Sequence, residues 1–175
     1  MKKLLAFITG ITILIILFAG CKKTNEPAPQ QNYIRFTIDG VPVECKAYTY
    51  ASIPQNPDVI ISISGNYPGG SIELKLTEGS KLTAKQYLFE PFTSRSGEIW
   101  TSGPTGRHYS AGSGSATPNV DGSGQITITE ISAGTGTVYV YDGYVKGTFE
   151  FTTAIDIPTN TFKTVTAGEF YVKRG

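Results

Sequence analysis

Histidine occurs once in this chain and cysteine twice, and these two scarcities exclude whole classes of chemistry. One histidine, His108, cannot build a histidine-rich zinc site, and no Cys/His spacing of the structural-zinc kind is present. Cys21 and Cys45 are the only thiols available for a disulfide. Charge of one sign is also missing. Lys+Arg number 15 against 14 Asp+Glu, so no global field draws the chain to nucleic acid or to anionic lipid. There is no Gly-x-Ser-x-Gly elbow, no phosphate loop and no Gly-x-Gly-x-x-Gly. After residue 21 no apolar stripe of helical period appears. Neither a cofactor nor a metal is expected.

What the chain does have begins at its N-terminus. Met1-Lys2-Lys3 is basic, Leu4 to Phe18 is apolar apart from Thr9, Gly10 and Thr12, and Ala19-Gly20-Cys21 follows. The apolar run of about 15 residues is short of the ~20 that span a bilayer, and its flanks suit a removable signal. The segment resembles a bacterial lipoprotein signal with the lipobox Phe18-Ala19-Gly20-Cys21, although lipoboxes usually carry Leu, Val or Ile where Phe18 stands. The resemblance implies cleavage before Cys21 and diacylation of its sulfur, with the acyl chains as a membrane anchor. Cleavage removes Lys2 and Lys3, so Lys+Arg falls from 15 to 13 and the net charge becomes −1. Cys45 is then a lone thiol, expected to be buried and inert.

Three segments follow from this reading: a signal peptide over 1–20, the lipidated Cys21 with a Pro-stiffened tether over 21–31, and one domain over 32–175. Position 22 is Lys, so an Asp retention signal for the inner membrane is missing, and no acidic cluster of the surface-export kind follows Cys21. The expected location is the outer membrane, with the periplasmic face favoured over the cell surface.

From Tyr33 onward, alternation of period two dominates. Ile34, Phe36 and Ile38 share one face, and Asp39-Gly40 supplies a type I′ turn. Val41, Val43 and Cys45 then point inward, while Pro42 marks an edge strand. Strands are also predicted over 59–64, from Ile72 to Thr77, over 82–89, around Glu98–Thr101 and Arg107–Ala111, over 125–131, and in the final segment carrying Phe170 and Val172. A two-residue turn at Asp142-Gly143 would set Tyr141 opposite Tyr144 and Val140 opposite Val145. Short strands at regular spacing predict an all-β domain, an antiparallel β-sandwich or β-barrel of roughly 8–10 strands.

Three stretches carry a likeness. They are Ile126-Thr127-Ile128-Thr129, Gly147-Thr148-Phe149-Glu150-Phe151 and Val165-Thr166-Ala167-Gly168-Glu169-Phe170. Together they resemble a family of uncharacterised Bacteroidota lipoproteins of all-β type, in which an ITIT strand pairs with a GTFxF strand and a VTxGxF strand closes the domain. Residues 132–142 stand here as an insertion in that pattern. The resemblance implies a fold and a membrane anchor, and it implies no catalytic residues.

Candidate binding groups are aromatic. Ten Tyr, nine Phe and one Trp accompany the chain, and half-exposed Tyr and Trp serve recognition better than Phe does. Trp100, Arg107, His108 and Tyr109 lie in or beside the glycine-rich stretch, while Tyr139, Tyr141 and Tyr144 form a second outward group. Either could hold a glycan, a peptide or an envelope protein, so the first expectation is a non-catalytic binding or accessory lipoprotein. The alternative is a small hydrolase, or an inhibitor of one. Glu98 and His108 are its one tempting pair, read from sequence as two exposed loop residues. Asp121-Gly122-Ser123-Gly124 lacks the alternating carboxylates of a calcium loop and reads as a turn.

Overall fold

A computed structural model of the chain describes residues 31–45, 47–52, 59–78, 82–90, 95–112, 122–132 and 143–173. The strands are β1 (Tyr33–Ile38), β2 (Val41–Cys45), β3 (Ala47–Ser52), β4 (Val59–Tyr67), β5 (Gly70–Glu78), β6 (Gln86–Phe89), β7 (Ser96–Thr101), β8 (His108–Ala111), β9 (Ser123–Ile131), β10 (Tyr144–Thr152) and β11 (Thr164–Lys173). Among the described residues there is no helix. The strands form two antiparallel sheets, ordered β2-β1-β11-β10-β9-β6 and β3-β4-β5-β7-β8. The architecture is therefore a β-sandwich and not a closed barrel.

Alternation explains the single core. Ile34 and Phe36 of β1, Phe149 and Phe151 of β10 and Phe170 of β11 point inward from the six-stranded sheet. They meet Ile61 and Ile63 of β4, Ile72, Leu74 and Leu76 of β5 and Ile99 of β7 from the other sheet. Where the layers come closest, the sequence supplies glycine. A Cβ on Gly65 would stand 2.7 Å from Cys45 Cβ and 3.0 Å from Ile34 Cδ1 across the sandwich. Cys45 itself is buried, as its parity predicts, and burial followed by the neighbouring Glu44 charge pushes its thiol up to about 12.

Turn chemistry sets the registers. Asp39 and Gly40 both hold positive φ, 49° and 83°, as a type I′ hairpin requires, and Pro42 sits on the edge strand β2. Pro68-Gly69 alone turns β4 into β5, so both strands run longer than the alternation of 59–64 indicates. By contrast β6 is shorter, because Ala84-Lys85 carries no strand signal and bends instead. β9 and β10 pair through Ile126↔Phe149 and Thr127↔Thr148.

The Asp142-Gly143 hairpin needs correction. β10 already has β11 on one side (Tyr144↔Lys173) and β9 on the other (Val145↔Ile131). No ladder edge is left on β10 for a partner strand ending at Tyr141. Tyr139, Tyr141 and Cys21 lie outside the described residues.

At the head of the domain, Asn32 acts as one more rung. Its Nδ2 donates to the Lys173 carbonyl at 3.1 Å and its Oδ1 accepts from the Lys173 N–H at 2.7 Å. Between β10 and β11, residues 153–163 cross to the other sheet, where the Ala154 N–H donates to the Ser110 carbonyl of β8 at 2.8 Å.

Candidate functional site

The outer face of the five-stranded sheet collects the side chains that alternation turns away from the core. Trp100 and His108 are register partners on β7 and β8, and their rings stack at 4.5 Å with 12° between planes. Beside them Glu98 is 5% exposed despite its outward parity. Its carboxylate accepts from Ser96 Oγ at 2.8 Å and Lys75 Nζ at 3.0 Å, and lies 3.0 Å from His108 Nε2. Lys75 also reaches Glu73 at 3.3 Å, and Glu73 accepts from Ser62 Oγ at 2.5 Å. Burial raises the Glu98 carboxyl, but the Ser96 and Lys75 hydrogen bonds and the Lys75 and His108 charges outweigh it and hold the group below its ordinary value. Burial likewise depresses the Lys75 amine, and Glu98 and Glu73 more than compensate.

The reading of Glu98 and His108 as exposed loop residues is thus corrected. Both lie on strands, Glu98 is buried, and the two are bonded. The Trp–Arg–His–Tyr group does not converge on one opening. Tyr109 points into the core, and its hydroxyl lies 3.3 Å from Thr161 Oγ1. Arg107 pairs with Asp156 at 3.0 Å. His108 occupies the indole face that a stacking ligand would use.

The outer face of the six-stranded sheet is built differently. Tyr33, Tyr171 and Tyr144 stand in a row across β1, β11 and β10, with successive ring centroids 6.3 Å and 5.1 Å apart. Arg35 lies 4.5 Å over the Tyr33 ring. Tyr171, flanked on both sides, is 4% exposed, whereas Tyr33 and Tyr144 remain half-buried. The Tyr144 hydroxyl donates to Glu130, which raises its phenol above the ordinary value.

Further along β10, beyond the exposed Lys146, lies a shallow groove. Its first depression, about 330 Å³, is lined by Gln125, Thr127, Thr148, Glu150, Ala167 and Glu169, with the backbone of Phe149 and Gly168. A second of about 210 Å³ continues past Glu150 to Ser123, Thr152, Thr164 and Thr166. Local sequence makes the hollow. The threonines are short, and β11 carries a bulge opposite Glu150, between Gly168, which faces Phe149, and Val165, which faces Phe151. Ala167 in that bulge takes φ 50°. Bulges of this kind re-aim side chains beside binding sites. Gln125 Nε2 donates to Glu150 at 2.8 Å, and Gln86 of β6 donates in turn to Gln125.

Of the residues singled out in the sequence, the structure brings Trp100 to His108 and sets Tyr144 in the row. Tyr33, Tyr171 and the groove side chains escaped sequence reasoning. Their outward parity was readable, but their adjacency is set by strand order, which places β11 between β1 and β10. Among the described residues no three His, Cys, Asp or Glu side chains cluster as a metal site. No family model, no curated protein and no solved structure matches the chain.

Proposed function

We propose that the protein is a non-catalytic binding module of the bacterial envelope, anchored to the outer membrane through acylated Cys21, and that it holds a glycan on the open face of its six-stranded sheet. The observation that supports this most is the meeting, on one exposed face, of the tyrosine row with a groove of amide, hydroxyl and carboxylate groups. Aromatic rings cover the apolar faces of a sugar, and planar polar groups fix its hydroxyls. A peptide is served less well. β9, β10 and β11 are flanked by strands on both sides, so their backbone groups are spent and strand addition has no edge there. The anchor rests on the charged head, apolar run and lipobox of residues 1–21.

The test is retention of the purified protein on immobilised envelope polysaccharide. Tyr33→Ala and Tyr144→Ala are each expected to weaken it roughly threefold to tenfold, the scale of one aromatic contact. Their melting temperatures should match the parent. Unchanged retention in both variants would refute the assignment of this face.

A second reading has one specific observation in its favour. The Glu98–His108 hydrogen bond is the arrangement by which a carboxylate orients a general base in a hydrolase. Yet both carboxylate oxygens are engaged, Oε1 by Ser96 and Lys75 and Oε2 by His108. Screening wild type and His108→Ala against esters, glycosides and peptides separates the readings, since hydrolysis lost in the variant would establish the enzyme.

A further inference from the structure

The lining of the groove carries more information than its existence. Building on the glycan reading above, the geometry points to the class of chain: an uncharged polysaccharide, gripped by its interior and lying along β10 with Glu150 at its centre.

Charge decides the first half. Among the described residues, Glu150 and Glu169 are the only charged side chains lining the two depressions. Two cations stand near the face without lining the depressions: Arg35, paired with Glu169 at 3.4 Å and Glu44 at 3.5 Å, and Lys146, exposed on β10 between Tyr144 and Thr148. At the centre of the face a uronate or phosphate polymer would have to set its anions against Glu150, where no described cation lines either depression. Hydroxyls suit the same atoms well. Glu150 accepts from O–H donors, and Gln125, Thr127, Thr148 and Thr152 can each donate and accept.

Geometry decides the second half. Glu150 lines both depressions, so the two lie end to end along β10 on either side of its side chain. With the tyrosine row beside Tyr144 at one end and Thr152 at the other, the face follows β10 for roughly 27 Å at the usual strand rise. A single sugar ring reaches the rings or the carboxylate but not both. An extended chain reaches both.

The full-length protein in detergent micelles is run by affinity electrophoresis through gels containing neutral galactomannan, neutral mixed-linkage glucan or polygalacturonate, with free hexose as competitor. The expected result is retardation by at least one neutral polymer, none by polygalacturonate, and no relief by free hexose at equal mass. Glu150→Gln should weaken retardation by roughly tenfold, as for loss of a charge-assisted hydrogen bond. Glu150→Lys should abolish neutral binding and introduce binding of polygalacturonate. Thr148→Arg, which fills the groove without touching the core, gives an independent block, and unchanged melting temperatures certify the fold. Wild-type retardation by polygalacturonate equal to or above that by neutral polymers would overturn the charge argument while leaving a glycan module standing. Relief by free hexose would overturn the interior grip alone. Silence of a folded protein toward all three polymers would remove both this inference and the glycan reading beneath it.

Discussion

Removing the carboxylate of Glu98 tests the reasoning about the five-stranded sheet most directly. In Glu98→Ala, Ser96 Oγ loses its partner at a site only 1% exposed, an orphaned hydroxyl costing about 1–3 kcal/mol. Lys75 keeps Glu73 at 3.3 Å, and its side chain is 38% exposed, so it adds little. His108 is 49% exposed and rehydrates. The expected total is about 1–3 kcal/mol, nearly all of it from Ser96 and a sizeable part of a domain's stability. Glu98→Gln keeps the shape and the Ser96 contact and should cost about 0.5–1 kcal/mol, because the charge-assisted bonds it loses go to Lys75 and His108, side chains that are 38% and 49% exposed. Acid then distinguishes charge from shape. Because the folded carboxyl is held below its ordinary value, its contribution is fully present above the unfolded value of about 4.3 and is lost as pH falls through the depressed folded value. In urea titrations the gap between wild type and Glu98→Gln should be full at pH 7 and close as pH drops below about 4. Equal midpoints at pH 7, or a gap that widens in acid, would refute the network as a source of stability.

Two further outcomes follow from the sandwich interior. Cys45, with its thiol pushed up to about 12 and its side chain enclosed, should resist iodoacetamide at pH 8 in the native protein and react promptly in 6 M guanidinium at the same pH, as mass spectrometry would show. Labelling of the folded protein at the rate of a free thiol would contradict the burial. Gly65→Ala should cost about 1–3 kcal/mol, because its Cβ lands 2.7 Å from Cys45 Cβ and the facing strands must part. A denaturation midpoint equal to the parent's would show that the layers are not in contact there.

Much of the fold was legible because period two leaves few options. Once Ile34, Phe36 and Cys45 are placed inward, the Asp39-Gly40 turn fixes how β1 meets β2, and the observed register Phe36↔Val43 and Ile34↔Cys45 follows. The choice between sandwich and barrel was not legible, because alternation names a face and not a neighbour. The same limit hid the candidate site. Glu150 and Glu169 read as outward residues with no visible relation. They share a groove because β11 returns beside β10 and bulges at Ala167. The local pattern misled at Asp142-Gly143, where good turn chemistry precedes a strand whose two edges are filled by β9 and β11. It misled at Glu98 as well. The sequence offered a polar residue among glycines, and its carboxylate is held by Lys75 of β5 and His108 of β8, distant in the chain and adjacent in the sheet.

The clasp between Asn32 and Lys173 has a mechanical consequence. β1 is not an edge strand; it runs between β2 and β11. Tension applied from the N-terminal side therefore acts along β1, and its hydrogen bonds to both flanking strands resist in shear, all loaded together. The paired amide bonds of Asn32 take up the pull before the first ladder rung does. A domain pulled at that point would transmit force through its sheet instead of peeling open.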